Sequence, residues 1–493
     1  MNAELQPLTD EAIVALRADL LAGAYTLEAL TSRLGESALN GLVRNSSVPV
    51  VRALAGRSDA QADLTRLWLL GLPVAQTRVR ALHSGVDELL AAQLLVTDGD
   101  DYRAAVELKP YGDESFSGWI CADPTPLDGR VGRPRPDFVL GASPASTTLA
   151  QLIPRDGVVS ALDLGTGCGI QALHLAAHCR RIVATDLNPR ALQLARITLG
   201  LAGVDADLRL GSLYEPVADD AFDLIVTNPP YVMTPPDSSG LIYREGVEIG
   251  DGLMRRVVSE AADRLNPGGT LIVLGNWAIT ERAWGERLAE WIPDGCDALV
   301  LQREVLDPFE YVELWLTDAG LSGSDDYQRR YAEWLDYFAG LGIESVGMGW
   351  LAVRKSGRAV PERRFEEWPH AVHQPVAAAF ADFFDAIEPA RLPEDELLAG
   401  FWRLHDGVLQ ETLGRPGAAD PQHLVFRQQY GFGRAVEPGT ALAAVAGACD
   451  GDLALGTLLD AVAAILEVDP DALRDELLPQ VRRLIAEGYL LPA

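Results

Sequence analysis

The chain has 493 residues, of which 48% are hydrophobic and 23% charged, and its formal net charge at pH 7 is −30. A chain of this length is long enough for about two to four domains with buried cores. The net charge is −7 over residues 1–130, −11 over 131–359 and −12 over 360–493, so no whole domain has the basic surface of a nucleic-acid clamp.

The composition also bears on location and on metals. No apolar run approaches the roughly 20 residues of a membrane helix, and the first residues lack the basic and apolar regions of a signal peptide. We therefore expect a cytoplasmic protein without a membrane partner. The cysteines are scattered and form no CxxC pair, which indicates reduced thiols and no zinc site: they are Cys121, Cys168, Cys179, Cys296 and Cys449.

Residues 1–130 are predicted to form a mainly helical domain. Amphipathic patterns predict helices and then two strands, over residues 9–22, 27–34, 39–54, 63–70, 74–82, 86–92, 94–96 and 104–108. Two helices followed by a hairpin are typical of a winged helix. Because affinity for DNA depends on neutralising phosphates, the negative charge favours a packing or recognition module over a DNA-reading one.

Residues 131–355 are predicted to form an α/β domain. Helical patterns alternate with apolar strands, which indicates a doubly wound sheet; the strands are predicted over residues 158–164, 182–185, 207–210, 223–227, 269–274, 298–301, 311–316 and 347–353. His174 and His178 lie one turn apart on the helix after the first strand. Two ligands make no metal site, so we expect a structural role for them and no metal.

A glycine turn and an acid follow the first two strands. Gly165-Thr166-Gly167-Cys168-Gly169 allows a tight turn and a close approach of ligand to backbone. Asp186 ends the next strand, where a carboxylate can accept both hydroxyls of an adenosine ribose. The alternative is that Asp186 caps the helix that begins at Pro189.

The fourth strand runs into Asn228-Pro229-Pro230-Tyr231. Two prolines cannot continue a strand ladder, so the chain must turn there. Asn228 and the nearby carbonyl groups then offer acceptors at the carboxyl end of a strand, and Tyr231 offers a flat face. The corner is therefore suited to a planar NH2 group, although a plain strand-to-loop turn is the alternative.

Residues 356–493 are predicted to form a third domain, after a charged linker over 356–369. Helices are predicted over residues 376–387, 394–404, 440–448, 457–466 and 471–487, with a hairpin over 424–428 and 431–436. A helix followed by Gly488-Tyr-Leu-Leu is again similar to a winged helix, and the stripe of Phe380, Phe383 and Phe384 is predicted to be core.

Taken together, the motifs Asp163–Gly169, Asp186, Gly211-Ser212-Leu213 and Asn228–Tyr231 resemble class I S-adenosylmethionine-dependent methyltransferases. The Asn-Pro-Pro-Tyr form is similar to the HemK-like glutamine methyltransferases and to the small-domain rRNA and adenine-N6 methyltransferases. The resemblance covers about residues 138–355. It implies a Rossmann-like core with a mostly parallel seven-stranded sheet.

The resemblance also implies roles for individual residues. Asp163, Gly165 and Gly167 would line the methionine part of S-adenosyl-L-methionine, Asp186 would hold its ribose, and Ser212 and Leu213 would flank its adenine; Thr166, Leu187 and Asn228 complete the implied cofactor set. Asn228, Pro229, Pro230 and Tyr231 would hold the nitrogen to be methylated. Residues 243–246 and 250–252 resemble a glycine-bearing loop that closes over substrate.

The sequence thus predicts an N-methyltransferase that acts on a planar amide or amino nitrogen, in a macromolecule. The acidic chain disfavours polyanions, which favours a protein glutamine over a nucleobase of rRNA, tRNA or DNA. A protein that binds the cofactor without turnover and a methyltransferase for small molecules remain as alternatives.

Overall fold

The computed structural model describes residues 5–113, 116–128, 135–155, 157–236, 248–416 and 422–493. The chain divides into two compact units, the first of Met1–Ala150 and Asp156–Pro361 and the second of Gln151–Arg155 and Glu362–Ala493. The three-domain division expected from the sequence stays a prediction. Across the described ranges, no helix is both long and apolar enough to span a membrane.

The amino-terminal part of the first unit is mainly helical. Its helices are α1 (Asp10–Ala22), α2 (Leu27–Leu34), α3 (Glu36–Val43), α4 (Val48–Ala53), α5 (Ala60–Leu64), α6 (Gln76–Leu82) and α7 (Val86–Ala91). Its strands are β1 (Val74–Ala75), β2 (Leu95–Asp98), β3 (Asp101–Ala104), β4 (Glu107–Gly112) and β5 (Ser117–Ala122). Thr9, Thr26 and Asp59 cap α1, α2 and α5 with their side-chain oxygens, as these residue types favour.

The strands of this part pair in the order β1-β3-β2 and as a β4–β5 hairpin. The strand predicted over 104–108 is wrong, because β3 ends at Ala104 and β4 begins at Glu107. The helix predicted over 39–54 is likewise interrupted between Val43 and Val48. The winged-helix assignment stays a prediction.

The remainder of the first unit is an α/β layer structure. Its helices are α8 (Pro144–Leu152), α9 (Ile170–Leu175), α10 (Pro189–Ala202), α11 (Gly252–Ser259), α12 (Trp284–Ala289), α13 (Pro308–Asp318) and α14 (Tyr327–Gly340). Its strands are β6 (Ser160–Leu164), β7 (Arg181–Asp186), β8 (Asp207–Leu210), β9 (Phe222–Thr227), β10 (Leu265–Ile279), β11 (Cys296–Leu306) and β12 (Ser345–Lys355).

These seven strands lie in the order β11-β12-β10-β9-β6-β7-β8. The five from β10 to β8 are parallel neighbours, while β12 runs antiparallel to β10 and β11. The predicted mostly parallel, doubly wound sheet is therefore confirmed. The strand order reverses between the adjacent strands β6 and β9, and such a reversal leaves a crevice for ligand at the carboxyl ends of the strands.

The strand predicted over 311–316 is wrong, because this segment lies in α13. Asp307 accepts the backbone N–H of Glu310, and the Glu310 side chain accepts the N–H of Asp307. This reciprocal capping box, with Pro308 in the first turn, begins a helix. The preceding strand β11 instead continues to Leu306, past its predicted end at 301.

One hydrophobic core joins the amino-terminal part of the first unit to α9 and α10. Buried residues of α1 and β5, such as Ile13 and Trp119, belong to the same cluster as Leu194 and Ile197 of α10. A Cβ at Gly200 of α10 would lie only 2.9 Å from Ile13 Cγ2, so this glycine permits the close approach of α1 and α10.

The second unit has its own hydrophobic core, built mainly from its last three helices. Its strands are β13 (Arg363–Glu367), β14 (Phe401–Leu404), β15 (Val408–Leu413), β16 (His423–Gln428), β17 (Ala435–Val436), β18 (Asp450–Ala454) and β19 (Leu490–Pro492). Its helices are α15 (Ala377–Ala390), α16 (Glu394–Ala399), α17 (Thr440–Ala448), α18 (Leu455–Leu466) and α19 (Pro470–Ala486). The helix predicted over 394–404 ends at Ala399, since Gly400 adopts an extended conformation and β14 follows. Phe380, Phe383 and Phe384 are buried, as predicted.

Candidate functional site

A cavity of about 290 Å³ lies at the carboxyl ends of β6, β7 and β9, where the strand order reverses. Its lining includes most of the residues predicted from the sequence: Asp163, Gly165, Thr166, Gly167, Asp186, Leu187, Ser212, Leu213, Asn228, Pro229 and Pro230. Tyr231 is not in this lining. The structure therefore brings the glycine turn, the acid of β7 and the proline corner around one space.

The glycines of the turn have different surroundings: two face open space and the third packs against a neighbouring helix. Gly165 and Gly167 have φ values of +74° and +55°, which L-residues rarely adopt. A Cβ at either position would meet no protein atom within 4 Å, whereas a Cβ at Gly169 would lie 3.2 Å from Ala195. The first two glycines thus keep space clear beside the cavity, and the third lets α9 approach α10.

Asp163 links the glycine turn to α9 through two hydrogen bonds. Its Oδ2 accepts the hydroxyl of Thr166 at 2.6 Å and the backbone N–H of Ala172 at 2.9 Å. The residue is 1% exposed, and this burial raises the pKa of the Asp163 carboxyl to about 7, although the two hydrogen bonds oppose the shift. The site therefore holds a carboxyl group that is easily ionised by a nearby positive charge.

Asp186 is held by backbone groups and does not cap α10. Its Oδ2 accepts the N–H of Gly167 at 2.9 Å and its Oδ1 accepts the N–H of Asn188 at 2.8 Å. The cap of α10 is Asn188, whose Oδ1 accepts the N–H of Arg190, so the helix-cap alternative for Asp186 is wrong. A carboxylate has about four acceptor sites, so Asp186 can still accept from a further donor, and burial raises the pKa of Asp186.

The loop after β8 continues the cavity wall beyond Asp186. The N–H of Gly211 donates to the Asp186 carbonyl at 3.0 Å, which places Ser212 and Leu213 next along the lining. Leu213 has a φ of +47°, a strained value for a leucine that turns the chain at this point. Leu187 and Leu213 both supply apolar surface to the cavity lining.

The proline corner presents an amide oxygen that lacks a partner in the described part of the chain. Thr227, the last residue of β9, donates its hydroxyl to the Leu164 carbonyl at 2.8 Å and so ties β9 to β6. The next residue is Asn228, whose Oδ1 is buried and has no hydrogen-bond partner among the described residues. An unpaired buried acceptor costs on the order of 1–3 kcal/mol, so an acceptor of this kind in a cavity wall indicates a ligand that donates.

Tyr231 lies beyond the cavity, against α13. Its ring contacts Trp315 edge to face, with the ring centroids 6.3 Å apart. Burial raises the pKa of Tyr231 to about 12, with Asp318 adding to the shift, so the phenol is neutral at physiological pH. Two residues on, the N–H of Met233 donates to the hydroxyl of Tyr311 at 3.0 Å. The corner is thus braced by α13, and the substrate role of Tyr231 stays a prediction.

Several lining residues were not found by sequence reasoning: Phe138, Ser143, Ser146, Gln171, Glu248 and Arg256. They come from α8 and the segment before it, from α9, and from α11 and the segment before it, which carry no distinctive motif. A polar residue in the apolar run Ile170-Gln171-Ala172-Leu173 was the one available signal. The predicted loop over 243–246 lies outside the described residues.

A buried ion pair outside the cavity holds part of its wall. Arg190 of α10 donates through Nε to Asp123 Oδ2 at 3.0 Å, and both side chains are less than 10% exposed. The same Asp123 oxygen accepts the N–H of Val139 at 2.8 Å, and Val139 lines the cavity. The segment after β5 therefore positions the wall that precedes α8.

His174 has structural partners. Its Nε2 lies 2.9 Å from the hydroxyl of Tyr111 and its Nδ1 lies 3.5 Å from Asp113 Oδ2, so it connects α9 to the β4–β5 hairpin. Within the ranges that the structure describes, no group of three or more His, Cys, Asp or Glu residues could hold a metal ion.

The strand order of the mostly parallel sheet reverses beside a glycine turn and an amide on a proline corner. This is the architecture of a class I methyltransferase. Comparison with known families agrees. Residues 142–284 match the methyltransferase small domain, and residues 22–105 match a domain of unknown function.

Curated relatives carry the comparison further. A release factor glutamine methyltransferase of Bordetella pertussis is 30% identical over 259 residues, which are 49% of this chain and 85% of that protein. One of Mycolicibacterium smegmatis is 34% identical over 237 residues, 45% of this chain and 79% of that protein. The chain belongs to the HemK-like methyltransferase family, which includes these two proteins.

Other relatives match over shorter segments. A release factor glutamine methyltransferase of Deinococcus radiodurans is 38% identical over 23% of this chain, and the match spans 44% of that protein; with several relatives the chain therefore shares less than half of their length. Among solved structures, a 16S rRNA N2 methyltransferase of T. Thermophilus in complex with AdoMet and guanosine is 19% identical, with a TM-score of 0.28 over 46% of this chain and 60% of that one. A TM-score this low supports no conclusion about substrate.

Proposed function

We propose that the chain transfers the methyl group of S-adenosyl-L-methionine to a planar amide nitrogen of a protein, with a glutamine side chain as the acceptor. The observation that carries this proposal is the buried Oδ1 of Asn228 in the cavity wall, which accepts no hydrogen bond from any residue that the structure describes. A primary amide of a substrate offers the N–H donors that this oxygen lacks.

The residues present fit the cofactor. Asp186 keeps lone pairs for the hydroxyls of a ribose, Leu187 and Leu213 offer apolar surface for an adenine, and the turn at Gly165 and Gly167 leaves open space where side chains would stand. When bound, the cofactor supplies an electrophilic methyl group on a sulfonium.

The work of the protein in this reaction is to orient a poor nucleophile. An amide nitrogen has a delocalised lone pair, and a hydrogen bond from its N–H to Asn228 Oδ1 fixes the direction of the NH2 group. A backbone carbonyl at the proline corner accepts the second hydrogen in this proposal. Most of the rate would come from this positioning and from dipoles matched to the developing charge, so no dedicated base is needed before attack.

A protein acceptor is supported by the charge beside the corner. The segment 307–340, which contains α13 and α14, has eight acidic and two basic residues, and both arginines are engaged by acids of the same segment. This segment contacts the corner through Trp315 and Tyr311. An acidic segment beside the corner repels a phosphate backbone, and the two relatives that match over 85% and 79% of their own length are named release factor glutamine methyltransferases. We place the reaction in the cytoplasm.

The proposal is tested by methyl transfer from tritiated cofactor into a cell extract. We expect label that survives nuclease but is lost on protease treatment. Asn228→Ala should lower incorporation by on the order of a hundredfold or more while it leaves the affinity for S-adenosylhomocysteine within a few-fold. Asn266→Ala, which changes an asparagine bound to Asp223 away from the cavity lining, is the matched control.

The outcomes separate the alternatives. Label lost on nuclease treatment would show that the methyl acceptor is a nucleobase. Label confined to small molecules would show that the methyl acceptor is a metabolite. Cofactor binding without incorporation into any acceptor, unchanged by Asn228→Ala, would favour a protein that senses the cofactor without turnover.

A further inference from the structure

The cavity wall contains a second buried oxygen that has no partner within the described ranges. Of the described side chains that line the cavity, two have a buried oxygen with no hydrogen bond, Asn228 and Gln171. Gln171 is 5% exposed and lies in the first turn of α9, where its neighbours Ile170, Ala172 and Leu173 are apolar and buried. The proposed acceptor site uses Asn228 and leaves Gln171 unexplained.

The orientation of the Gln171 amide is fixed by its other half. Its Nε2 donates to the backbone carbonyl of Ser146 in α8 at 2.8 Å. A carbonyl oxygen only accepts, so the group that faces it must be the NH2 group. The remaining atom, Oε1, is therefore an acceptor, and a buried acceptor without a donor is a cost that a bound donor removes.

The position of Gln171 identifies which part of a ligand meets it. Ala172, the next residue, donates to Asp163, so Gln171 belongs to the Asp163 side of the cavity. The loop with Ser212 and Leu213 is reached through Asp186 instead. The Asp163 side thus combines a carboxyl group with an acceptor oxygen and a serine-bearing segment, Ser143 and Ser146. Such a set suits a cationic donor.

We propose that Gln171 Oε1 accepts a hydrogen bond from the α-ammonium group of the methionine part of the cofactor, and so selects ligands that carry this group. The inference rests on the proposed function, because it takes S-adenosyl-L-methionine as the ligand. The glycine turn and the acids at the strand ends are already proposed to hold the cofactor. Gln171 adds one further contact to the cofactor, made by a side chain of α9.

The test compares binding of three ligands by calorimetry. They are S-adenosylhomocysteine, its deamino analogue, which keeps the carboxylate, and its decarboxylated analogue, which keeps the amine. Gln171→Leu should lower the affinity for S-adenosylhomocysteine and for the decarboxylated analogue by roughly tenfold to a hundredfold, as expected for the loss of a hydrogen bond to a charged group. The deamino analogue should bind the variant and the wild type equally, which also shows that the cavity of the variant is intact.

Each of the other possible results would contradict the proposal in a different way. An equal loss of affinity for all three ligands would mean that Gln171 has only a structural role, and unchanged binding of all three would mean that Oε1 meets no ligand donor. Weakening of the deamino analogue alone would assign Oε1 to another part of the ligand. If the wild-type chain itself binds none of them, the proposed function fails, and the contact of Gln171 fails with it.

Discussion

Asp163 illustrates how the surroundings of one residue change its chemistry. The carboxyl group is enclosed beneath the glycine turn, and the loss of hydration outweighs the hydrogen bonds from Thr166 and Ala172. A carboxylic acid in this state is a good partner for a cationic ligand, because a positive charge nearby restores its ionised form.

The raised pKa of Asp163 makes stability depend on pH. Burial raises the pKa to about 7 in the folded chain from an ordinary value of 3.8. Below pH 4 both states hold the proton; between about pH 4 and 7 the unfolded chain has released it and the folded chain keeps it. The free energy of unfolding therefore falls as pH rises through this window, by up to about 4 kcal/mol in total.

Asp163→Asn removes this titration, and its amide oxygen can still accept both hydrogen bonds. We expect the stability of the wild type relative to the variant to decrease between about pH 4 and 7 and to level off above. Urea unfolding of both proteins without ligand, at steps across this range, measures the difference. A difference that does not vary with pH would contradict the raised pKa.

At the scale of elements, α10 carries two arginine pairs in opposite environments. Arg190 is paired with Asp123 where both side chains are buried, and Arg196 is paired with Asp10 where they are 41% and 82% exposed. The buried pair also holds Val139 in the cavity wall through Asp123. The two arginines of α10 thus differ in role, because the buried pair supports the cavity wall and the exposed pair lies at the surface.

Arg190→Met should destabilise the first unit by about 3–5 kcal/mol, because it leaves the Asp123 carboxylate buried without its partner. Arg196→Met on the same helix is the matched control and should cost about 1–2 kcal/mol, since it breaks a surface pair with Asp10 and a hydrogen bond to the Leu8 carbonyl. Denaturant unfolding followed by tryptophan fluorescence gives both values. Equal effects of the two substitutions would show that the Arg190 pair is not buried in solution.

At the scale of the whole molecule, the amino-terminal helices are part of the structure that forms the cavity. They share a core with α10, and the segment that follows β5 supplies Asp123. The residues that match a domain of unknown function therefore lie in a part of the chain that covers the apolar face of α10.

A fragment that begins at residue 131 should accordingly fail to form the site. Its α10 would expose Leu194, Ile197 and Leu201, which are buried in the shared core, and a large exposed apolar face favours aggregation. Size-exclusion chromatography and S-adenosylhomocysteine binding compare the fragment with the full chain. A monodisperse fragment with full affinity would contradict the shared-core explanation and would favour an independent domain.

The sequence by itself determined the doubly wound sheet, the glycine turn, Asp186 and the proline corner, since strand periodicity, glycine and proline are local signals with local causes. It failed over 311–316, where the capping box at Asp307 outweighs the apolar pattern. The tertiary structure alone decided that Tyr231 packs against α13 and that Asp123 supports the cavity wall. It alone also decided that Gln171 and Asn228 have buried oxygens without partners among the residues that the structure describes. These features depend on contacts between residues distant in the chain, and no local pattern of residues encodes which polar atom is left unpaired.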